Sequence, residues 1–326
     1  MSQPIPVVIC DDSRLARKQM ASALRSWNVE VTFAEHGLEG LEAIRAGKGD
    51  ILFLDLTMPI MDGYQTLERI RQDDLPTMTI VVSGDIQPEA QSRVEELGAL
   101  AFIKKPTSPE VITEVLQRFG LLSELEHPVI VEEQIDTPLA LPEYYQEIAN
   151  VAMGQAGSML GTLLKTFVHL PIPVVKMVKA PELSNQLKVA SDNQHELISQ
   201  GFIGSGMAGE ALLLMQTGNL DRVANLMGMN ENGEYSESDL LMSLANALIG
   251  AFISGFAQQL DLSFSRATPS ILHDADRVCD QVESLDQMMT ISIDYQLPEY
   301  DFQCELILAF TPDSLSALQK IASYFE

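Results

Sequence analysis

Five polar residues in the first third of the chain stand at or just after short apolar runs. They are Asp11, Asp12, Asp55, Ser83 and Lys105. Three carboxylates that converge repel one another unless a cation joins them, and carboxylate oxygens suit Mg²⁺, which is often bound together with phosphate oxygens. A lysine and a hydroxyl offer donors for the remaining oxygens of a phosphoryl group. The residue types therefore predict a magnesium-dependent phosphoryl site.

The elements that would bring these residues together can be predicted from the same region. Short β-branched runs alternate with stretches of helical spacing, and the strand candidates are Val7–Cys10, Val29–Ala34, Ile51–Asp55, Thr79–Ser83 and Leu100–Ile103. Alternating strands and helices favour a parallel sheet with helices on both faces. Ligands of such sheets bind at the carboxyl ends of the strands, near the switch in strand order. The five polar residues are predicted to meet at that edge.

The polar residues lie in four sequence motifs, VVICDDS, ILFLDLTMPIMDG, IVVSGD and AFIKKP. Together these motifs resemble response-regulator receivers such as CheY over about the first 120 residues. The resemblance implies a flavodoxin-like α/β fold with a parallel five-stranded sheet, and it makes Asp55 the phosphorylated nucleophile. It also implies that Asp12, Asp55 and the backbone carbonyl of Thr57 hold Mg²⁺, with Asp11 behind them through water. A histidine kinase is the implied phosphodonor.

The same resemblance assigns the residues that would report phosphorylation. Ser83 is the implied switch hydroxyl, and Lys105 is the implied active-site lysine, followed by Pro106 in a cis peptide bond. Phe102 lies three residues before Lys105, where many receivers have an aromatic residue that turns. A phenylalanine cannot donate a hydroxyl hydrogen bond, so its contacts with a partner would be apolar.

The chain is predicted to contain two domains. The stretch from Ser123 to Pro138 is acidic, contains two prolines and lacks clear periodicity. Such a composition is typical of an interdomain connection. We therefore expect a receiver domain at 1–122, a linker at 123–137 and a second domain at 138–326.

The second domain contains an internal repeat. The segments YYQEIANVAMGQAGSMLGTLL and LLMSLANALIGAFISGFAQQL resemble each other, with Asn150 aligned to Asn246 and Pro173 to Pro269, each pair 96 residues apart. Each half reads as a long helix, then strands, then a terminal strand and a short helix. The halves, at about 138–230 and 235–326, predict an α+β domain with a pseudo-two-fold axis.

The spacing within each half resembles the CheC/CheX/FliY phosphatases, whose motif is an acidic residue or Ser, then Glu, Asn and Pro. The first half contains Glu143, Glu147, Asn150 and Pro173, and the second contains Asp239, Ser243, Asn246 and Pro269. The resemblance implies that Glu147 pairs with the active-site lysine of a phosphorylated CheY-like receiver while Asn150 orients the attacking water. The second site is degenerate because Ser243 replaces the glutamate.

The chemistry of this motif is physically reasonable. Hydrolysis of an aspartyl phosphate passes through a loose transition state, so the position of the attacking water matters more than a strong base. An asparagine amide can hydrogen-bond that water in line with the phosphorus. Glu147 and Asn150 are three residues apart on a predicted helix and therefore share a face.

Three functions remain open at this point. The C-terminal domain could be an aspartyl-phosphate phosphatase for a separate CheY-like regulator, with its own receiver as a controlled input. It could instead dephosphorylate its own receiver, within one chain or across a homodimer. It could also bind a partner without catalysis, although intact Glu147 and Asn150 argue against this. The identities of the kinase and the target, and the direction of any control, do not follow from the sequence.

Charge and composition narrow the partners. The net charge is −26, with −8 in residues 1–126 and −18 in the remainder, and neither part has a basic stripe. A nucleic-acid output is therefore not expected, and anionic lipid would be repelled. We find no N-terminal signal pattern and no apolar run of ~18 residues, so the sequence predicts a cytoplasmic protein without a membrane span. The three cysteines show no CxxC spacing, and Cys10 is predicted to be a buried small hydrophobe.

Overall fold

The chain divides into two compact units, Met1–Leu139 and Ala140–Glu326. The computed structural model describes residues 3–121, 140–190, 195–216, 220–226, 236–272, 287–297 and 300–323. The predicted linker at 123–137 lies outside the described residues.

The N-terminal unit contains a five-stranded parallel sheet. Its strands are β1 Ile5–Cys10, β2 Val29–Ala34, β3 Ile51–Leu54, β4 Met78–Ser83 and β5 Ala101–Lys104, and its helices are α1 Arg14–Ala23, α2 Gly37–Arg45, α3 Gly63–Gln72, α4 Pro88–Glu96 and α5 Pro109–Arg118. The strand order is β2-β1-β3-β4-β5, and every neighbouring pair is parallel. The predicted flavodoxin-like sheet is confirmed, with strand ends that differ by one or two residues.

Both faces of this sheet are buried at its central strands, which explains the continuous apolar runs of β1 and β3. Val7 and Ile9 belong to one core cluster, while Val8 and Cys10 belong to the other. Successive residues of a strand point to opposite faces, so a strand covered on both sides must be apolar throughout. Cys10 is fully buried, as predicted, and this burial raises the pKa of its thiol.

Side-chain caps start two helices immediately after the strands that end at the polar edge. Ser13 accepts a hydrogen bond from the backbone N–H of Ala16 at 3.2 Å and caps α1. Asp62 accepts from the backbone N–H of Gln65 at 2.8 Å, and the Gln65 side chain returns a bond to the backbone of Asp62. These caps satisfy N–H groups that have no partner in the first helical turn. They also fix the loops that follow β1 and β3.

The C-terminal unit is built on an antiparallel sheet flanked by helices. Its helices are α6 Leu141–Leu164, α7 Ala180–Ala190, α8 Leu220–Leu226, α9 Glu237–Gln259 and α10 Ser314–Ala322, and its strands are β6 Val174–Lys179, β7 His195–Gly204, β8 Met207–Gln216, β9 Ser265–Arg266, β10 Ser270–Leu272, β11 Gln287–Leu297 and β12 Phe302–Phe310. The strand order is β10-β7-β8-β12-β11-β6, and β9 pairs with β7. The predicted α+β class agrees with this arrangement.

The two long helices, α6 and α9, pack against each other in the core of this unit. Phe256 of α9 lies 6.0 Å from the ring of Tyr145 and 5.9 Å from that of Phe310, measured between centroids. The Tyr145 hydroxyl donates to the carbonyl of Leu318 at 3.0 Å, which ties α6 to α10. An aromatic cluster of this kind gives both the apolar area and the ring contacts that hold helices on a sheet.

One helix of the C-terminal unit bears on the expectation that the chain has no membrane span. Among the described residues, Glu237–Gln259 is long and apolar enough to cross a bilayer by length and composition, with a mean hydropathy of 1.8 over its most apolar window. However, 72% of that window is buried inside the unit. Contact with α6 and the sheet therefore accounts for the apolar character of this helix.

The glycine-rich stretch from Ile203 to Gly209 contains the turn between two strands. Ser205 and Gly206 join β7 to β8, and both have positive φ angles, 53° and 79°. Two successive residues with positive φ are the requirement of a tight two-residue hairpin. The stretch is thus part of the sheet scaffold.

Candidate functional sites

The structure brings together the three carboxylates predicted from the sequence. Asp11 and Asp12 follow β1, and Asp55 follows β3. One carboxylate oxygen from each lies within 4.8 Å of the others, and Asp11 and Asp55 are 5% and 4% exposed. The neighbouring strands β1 and β3 are parallel, so their carboxyl ends share one edge. Three clustered carboxylates that offer only oxygen ligands fit Mg²⁺ in chemical type.

Lys105 provides a positive charge within this acidic cluster. Its Nζ lies 2.7 Å from Asp11 Oδ2 and 3.6 Å from Asp55 Oδ1. The side chain is buried, whereas that of the preceding Lys104 is exposed. The Lys105–Pro106 peptide bond is cis, as the resemblance implied. Burying an ion pair is favourable only when the charges compensate one another, so Lys105 and the carboxylates depend on each other.

The structure places the other residues assigned to the receiver site in β4, in β5 and in the loop before α3. Ser83 ends β4 and is fully buried, and its Oγ accepts a hydrogen bond from the N–H of Asp85 at 3.1 Å. Phe102 lies in β5, half-buried against one of the two core clusters. Thr57 lies two residues beyond Asp55 in the loop before α3.

The loop after Ser83 connects the hydroxyl of this residue to the start of α4. Asp85 Oδ1 accepts hydrogen bonds from the backbone N–H and the side-chain Nε2 of Gln87, at 3.0 and 3.2 Å. Gln87 directly precedes α4 and is buried. Burial raises the pKa of the Asp85 carboxyl, and the two bonds from Gln87 oppose that rise. A movement of Ser83 would therefore break or move the first bond of a chain that leads to α4.

Gly63 allows the start of α3 to lie against the loop that carries Asp55. A Cβ at this position would lie 2.3 Å from the carbonyl oxygen of Asp55 and 2.7 Å from Cα of Leu56. The Gly63 N–H also donates to the carbonyl of Leu56 at 3.0 Å. No side chain fits such a close backbone approach. The glycine of the MDG motif thus holds α3 against the loop that carries Asp55.

Arg17 is a site residue that sequence reasoning missed. Its Nη1 donates to the carbonyl of Asp11 at 2.6 Å and to that of Asp12 at 3.2 Å, while Nη2 lies 2.6 Å from Glu35 Oε1. The guanidinium therefore fixes the backbone that carries two of the three carboxylates. The available signal was its spacing, because Arg17, Met20 and Leu24 are at i, i+3 and i+7 and all three are buried.

Replacing Arg17 with Met should weaken Mg²⁺ binding by about 10–100-fold, the usual cost of losing a group that orients metal ligands. The reason is that the Asp11 and Asp12 carbonyls lose the donors that set their backbone. The measurement is the Mg²⁺ dependence of labelling by a small-molecule phosphodonor. Arg25→Met, at an exposed position just beyond α1, is the matched control. An unchanged half-maximal Mg²⁺ concentration in Arg17→Met would contradict this role.

In the C-terminal unit, Glu147 and Asn150 lie on α6, as the spacing predicted. Glu147 is only 6% exposed, and Asn150 is half-buried. Among the described residues, the Asn150 Nδ2 has no hydrogen-bond partner although it is buried. A buried donor without a partner costs about 1–3 kcal/mol and therefore calls for an explanation such as a ligand or a water.

Gln146 holds Asn150 in place and was also missed from the sequence. Its Nε2 donates to the Pro173 carbonyl at 2.5 Å and to Asn150 Oδ1 at 3.3 Å, while its Oε1 accepts from the N–H of Val175 at 3.1 Å. One side chain thus connects the motif asparagine to the motif proline. Gln146 precedes Asn150 by one helical turn, which was the only signal available.

The opening residue of each motif caps its helix. Glu143 Oε2 accepts from the N–H of Ala140 at 3.1 Å. Asp239 Oδ2 accepts from the hydroxyl of Ser236 at 2.7 Å, and the bonds from Ser236 lower the pKa of Asp239. These roles explain why a short polar or acidic residue opens the motif. They assign Glu143 and Asp239 to helix initiation.

The second motif has a different environment. Ser243 is half-buried and Asn246 is exposed on α9. Arg266 Nη1 lies 3.4 Å from Asn246 Oδ1. The structure therefore places the predicted degenerate site at the surface of the unit, while the intact motif on α6 is more covered.

Comparisons with known proteins identify the N-terminal unit. Residues 7–117 match the model of the response regulator receiver domain. The chain is 43% identical over 114 residues to the protein-glutamate methylesterase/protein-glutamine glutaminase 3 of Geobacter sulfurreducens, covering 33% of this chain and 30% of that protein. It is 36% identical over 123 residues to the probable transcriptional regulatory protein NarL of Mycobacterium tuberculosis, covering 36% of this chain and 57% of that protein.

One solved structure is also similar to part of this chain. The signal receiver domain of the putative response regulator NarL from Mycobacterium tuberculosis is 30% identical, with a TM-score of 0.34, and the match covers 37% of this chain and 98% of that chain. The chain spans less than two thirds of each curated relative described above. The N-terminal unit is therefore a response regulator receiver domain of the CheY-like kind.

Proposed function

We propose that the chain is a response regulator whose C-terminal unit hydrolyses the aspartyl phosphate of a CheY-like receiver, under the control of phosphorylation at Asp55. The observation that carries this proposal is the state of Asn150. Gln146 holds the amide oxygen of Asn150, while Nδ2 is left to donate to a group that is not part of the described residues. A fixed amide whose two N–H donors are unused can position a water.

The strand order supports the repeat on which this proposal draws. β8 of the first half and β12 of the second lie side by side at the centre of the sheet. Outward from each centre strand come its own hairpin partner and then the short strand of the opposite half, which is β10 beside β7 and β6 beside β11. The order therefore reads the same from both edges, as a pseudo-two-fold axis between the halves requires.

The proposed mechanism divides the work between two proteins. The phosphorylated receiver brings the acidic pocket and its lysine, and Mg²⁺, when bound there, supplies charge neutralisation at the phosphoryl group. Asn150 would orient the attacking water, and Glu147 would pair with the lysine that stands beside the phosphoacceptor. Because the transition state is loose, placing the water supplies most of what the phosphatase adds. A histidine kinase would phosphorylate Asp55, and a cytoplasmic location fits both partners.

Self-directed hydrolysis is the second candidate, and the presence of a receiver and the Asn150 motif in one chain favours it. In that case the substrate is phosphorylated Asp55, reached within the chain or across a homodimer. The two candidates predict different substrates for the same residues. If the C-terminal unit binds a receiver and does not hydrolyse its aspartyl phosphate, the unit is a non-catalytic binding module.

The test is release of phosphate from a panel of pre-phosphorylated receivers by the full chain. The chain carries Asp55→Asn in this arm, so that it cannot act as an acceptor. In a second arm, the loss of phosphate from Asp55 of the parent chain is compared with that in Asn150→Ala. Faster release from panel receivers supports the first candidate, and slower loss in Asn150→Ala supports the second. The phosphatase proposal would be contradicted if neither arm showed acceleration and if the first arm, repeated with the parent chain loaded with beryllofluoride at Asp55, showed none.

We expect phosphorylation of Asp55 to change the phosphatase rate by about 5–150-fold, the usual scale of coupling between two sites. Glu147 is 6% exposed, so a partner's lysine requires the site to open. The hydrogen bonds from Ser83 through Asp85 to Gln87 give the receiver a route to change the surface near α4. The measurement is the rate on a foreign receiver with and without beryllofluoride held at Asp55, after removal of free mimic.

Asp55→Asn controls for direct effects of beryllofluoride on the substrate receiver. Equal rates with and without the mimic, together with an unchanged oligomeric state, would show that the receiver does not regulate this unit. The self-directed candidate would then explain the fusion better.

A further inference from the structure

Arg266 contacts the asparagine of the second motif in the C-terminal unit. It lies in β9, it is exposed, and its Nη1 is 3.3 Å from the Asn246 carbonyl and 3.4 Å from Asn246 Oδ1. The guanidinium is seated over Gly250, where a Cβ would lie 2.4 Å from Nη1. The arginine therefore depends on a glycine one helical turn after Asn246, and its charge is held beside the asparagine.

In the first half, the asparagine oxygen accepts its hydrogen bond from an uncharged side chain. There the donor to the asparagine oxygen is the neutral amide of Gln146, and Met242 stands at the corresponding place in the second half. The residue that corresponds to Arg266 in the first half is Leu170. The donor to the asparagine is thus a neutral side chain on the helix in the first half and a cation from β9 in the second half.

This difference determines whether each half can bind the lysine of an approaching receiver. A receiver of the kind in the N-terminal unit has a lysine beside its phosphoacceptor, as Lys105 Nζ lies 3.6 Å from Asp55 Oδ1. In the first half, Glu147 offers a carboxylate for such a lysine. In the second half, Ser243 offers no charge, and the Arg266 guanidinium repels an incoming ammonium group. Like charges brought together at an interface discriminate strongly against a partner.

We propose that Arg266 is a specificity determinant that excludes phosphorylated receivers from the second half and so confines hydrolysis to the half that contains Glu147. The inference rests on the proposed function. It also explains why a glutamate at position 243 would be insufficient, because the new carboxylate would pair with Arg266. The second site therefore cannot bind a receiver for two reasons, the missing carboxylate and the added guanidinium.

The test starts from Asn150→Ala, which removes the first site. Three chains are compared in this background, namely Ser243→Glu alone, Ser243→Glu with Arg266→Leu, and Ser243→Glu with Arg266→Lys. The leucine copies Leu170, and the lysine keeps the charge. We expect the leucine combination to release phosphate from a foreign receiver at least about tenfold faster than the other two, with tighter binding of the same receiver loaded with beryllofluoride.

Unfolding temperatures and circular dichroism show whether each variant keeps the fold. Equal activity of Ser243→Glu alone, or equal recovery with lysine, would overturn the charge argument, and so would a folded leucine combination without recovery. A parent chain that releases no phosphate contradicts the proposed function itself. In that case the binding of the beryllofluoride-loaded receiver still decides the role of Arg266, because tighter binding by the leucine combination supports exclusion and equal binding overturns it.

Discussion

Replacing Asp55 with Asn should reduce labelling of the chain by a small-molecule phosphodonor to background, and labelling of the parent should require Mg²⁺. Asparagine keeps the size of the side chain but removes the nucleophilic oxygen and one negative charge from the acidic cluster. The ion pair between Lys105 Nζ and Asp11 Oδ2, 2.7 Å apart in the parent, does not involve Asp55 and should persist. The loss should therefore be chemical, with the fold of the receiver unit intact.

Asp50→Asn is the matched control, because Asp50 is an exposed carboxylate directly before β3 and Asp55 directly follows that strand. Its labelling should equal that of the parent. If Asp55→Asn were labelled as strongly as the parent, the phosphoacceptor would be another residue. A labelled parent that ignores chelation of Mg²⁺ would instead remove the role assigned to the carboxylate cluster.

The receiver site could be predicted from sequence because its information is local. Each polar residue follows a strand whose apolar run is easy to see, and a parallel sheet collects the ends of its strands at one edge. Lys104 and Lys105 could not be separated by composition, but the structure buries only Lys105. Arg17 was missed because the groups of Asp11 and Asp12 that it contacts are backbone carbonyls, which carry no signal of residue type.

The motif in the C-terminal unit was predictable in position but not in environment. The spacing placed Glu147 and Asn150 on one helix, and the structure agrees. The burial of Glu147 depends on tertiary packing, so the repeat could not predict it. Gln146 and Arg266 were missed for a related reason. Neither residue is repeated in the other half, and the contacts of Gln146 with Pro173 and of Arg266 with Asn246 depend on the fold.

Asn150→Ala should lower phosphatase activity by about 100-fold or more, which is the scale for losing one fixed hydrogen-bond donor at a reacting centre. Asn246→Ala should change the rate by less than about twofold. Ser243 cannot pair with the lysine of a receiver, so the second half contributes little to the total phosphatase rate. Both asparagines lie at the same place in their repeats, so this pair is a matched comparison. The measurement is phosphate release from the same receiver under saturating Mg²⁺.

The position of Gln146 gives this comparison a further check. In Asn150→Ala, the bond from Gln146 Nε2 to the Pro173 carbonyl remains, so α6 should stay attached to β6 and the unfolding temperature should change little. Gln146→Met copies Met242 and leaves Asn150 without its orienting donor. It should therefore give a rate between those of the parent and Asn150→Ala. Equal losses in Asn150→Ala and Asn246→Ala would mean that both halves hydrolyse, and neither Ser243 nor Arg266 would then close the second site.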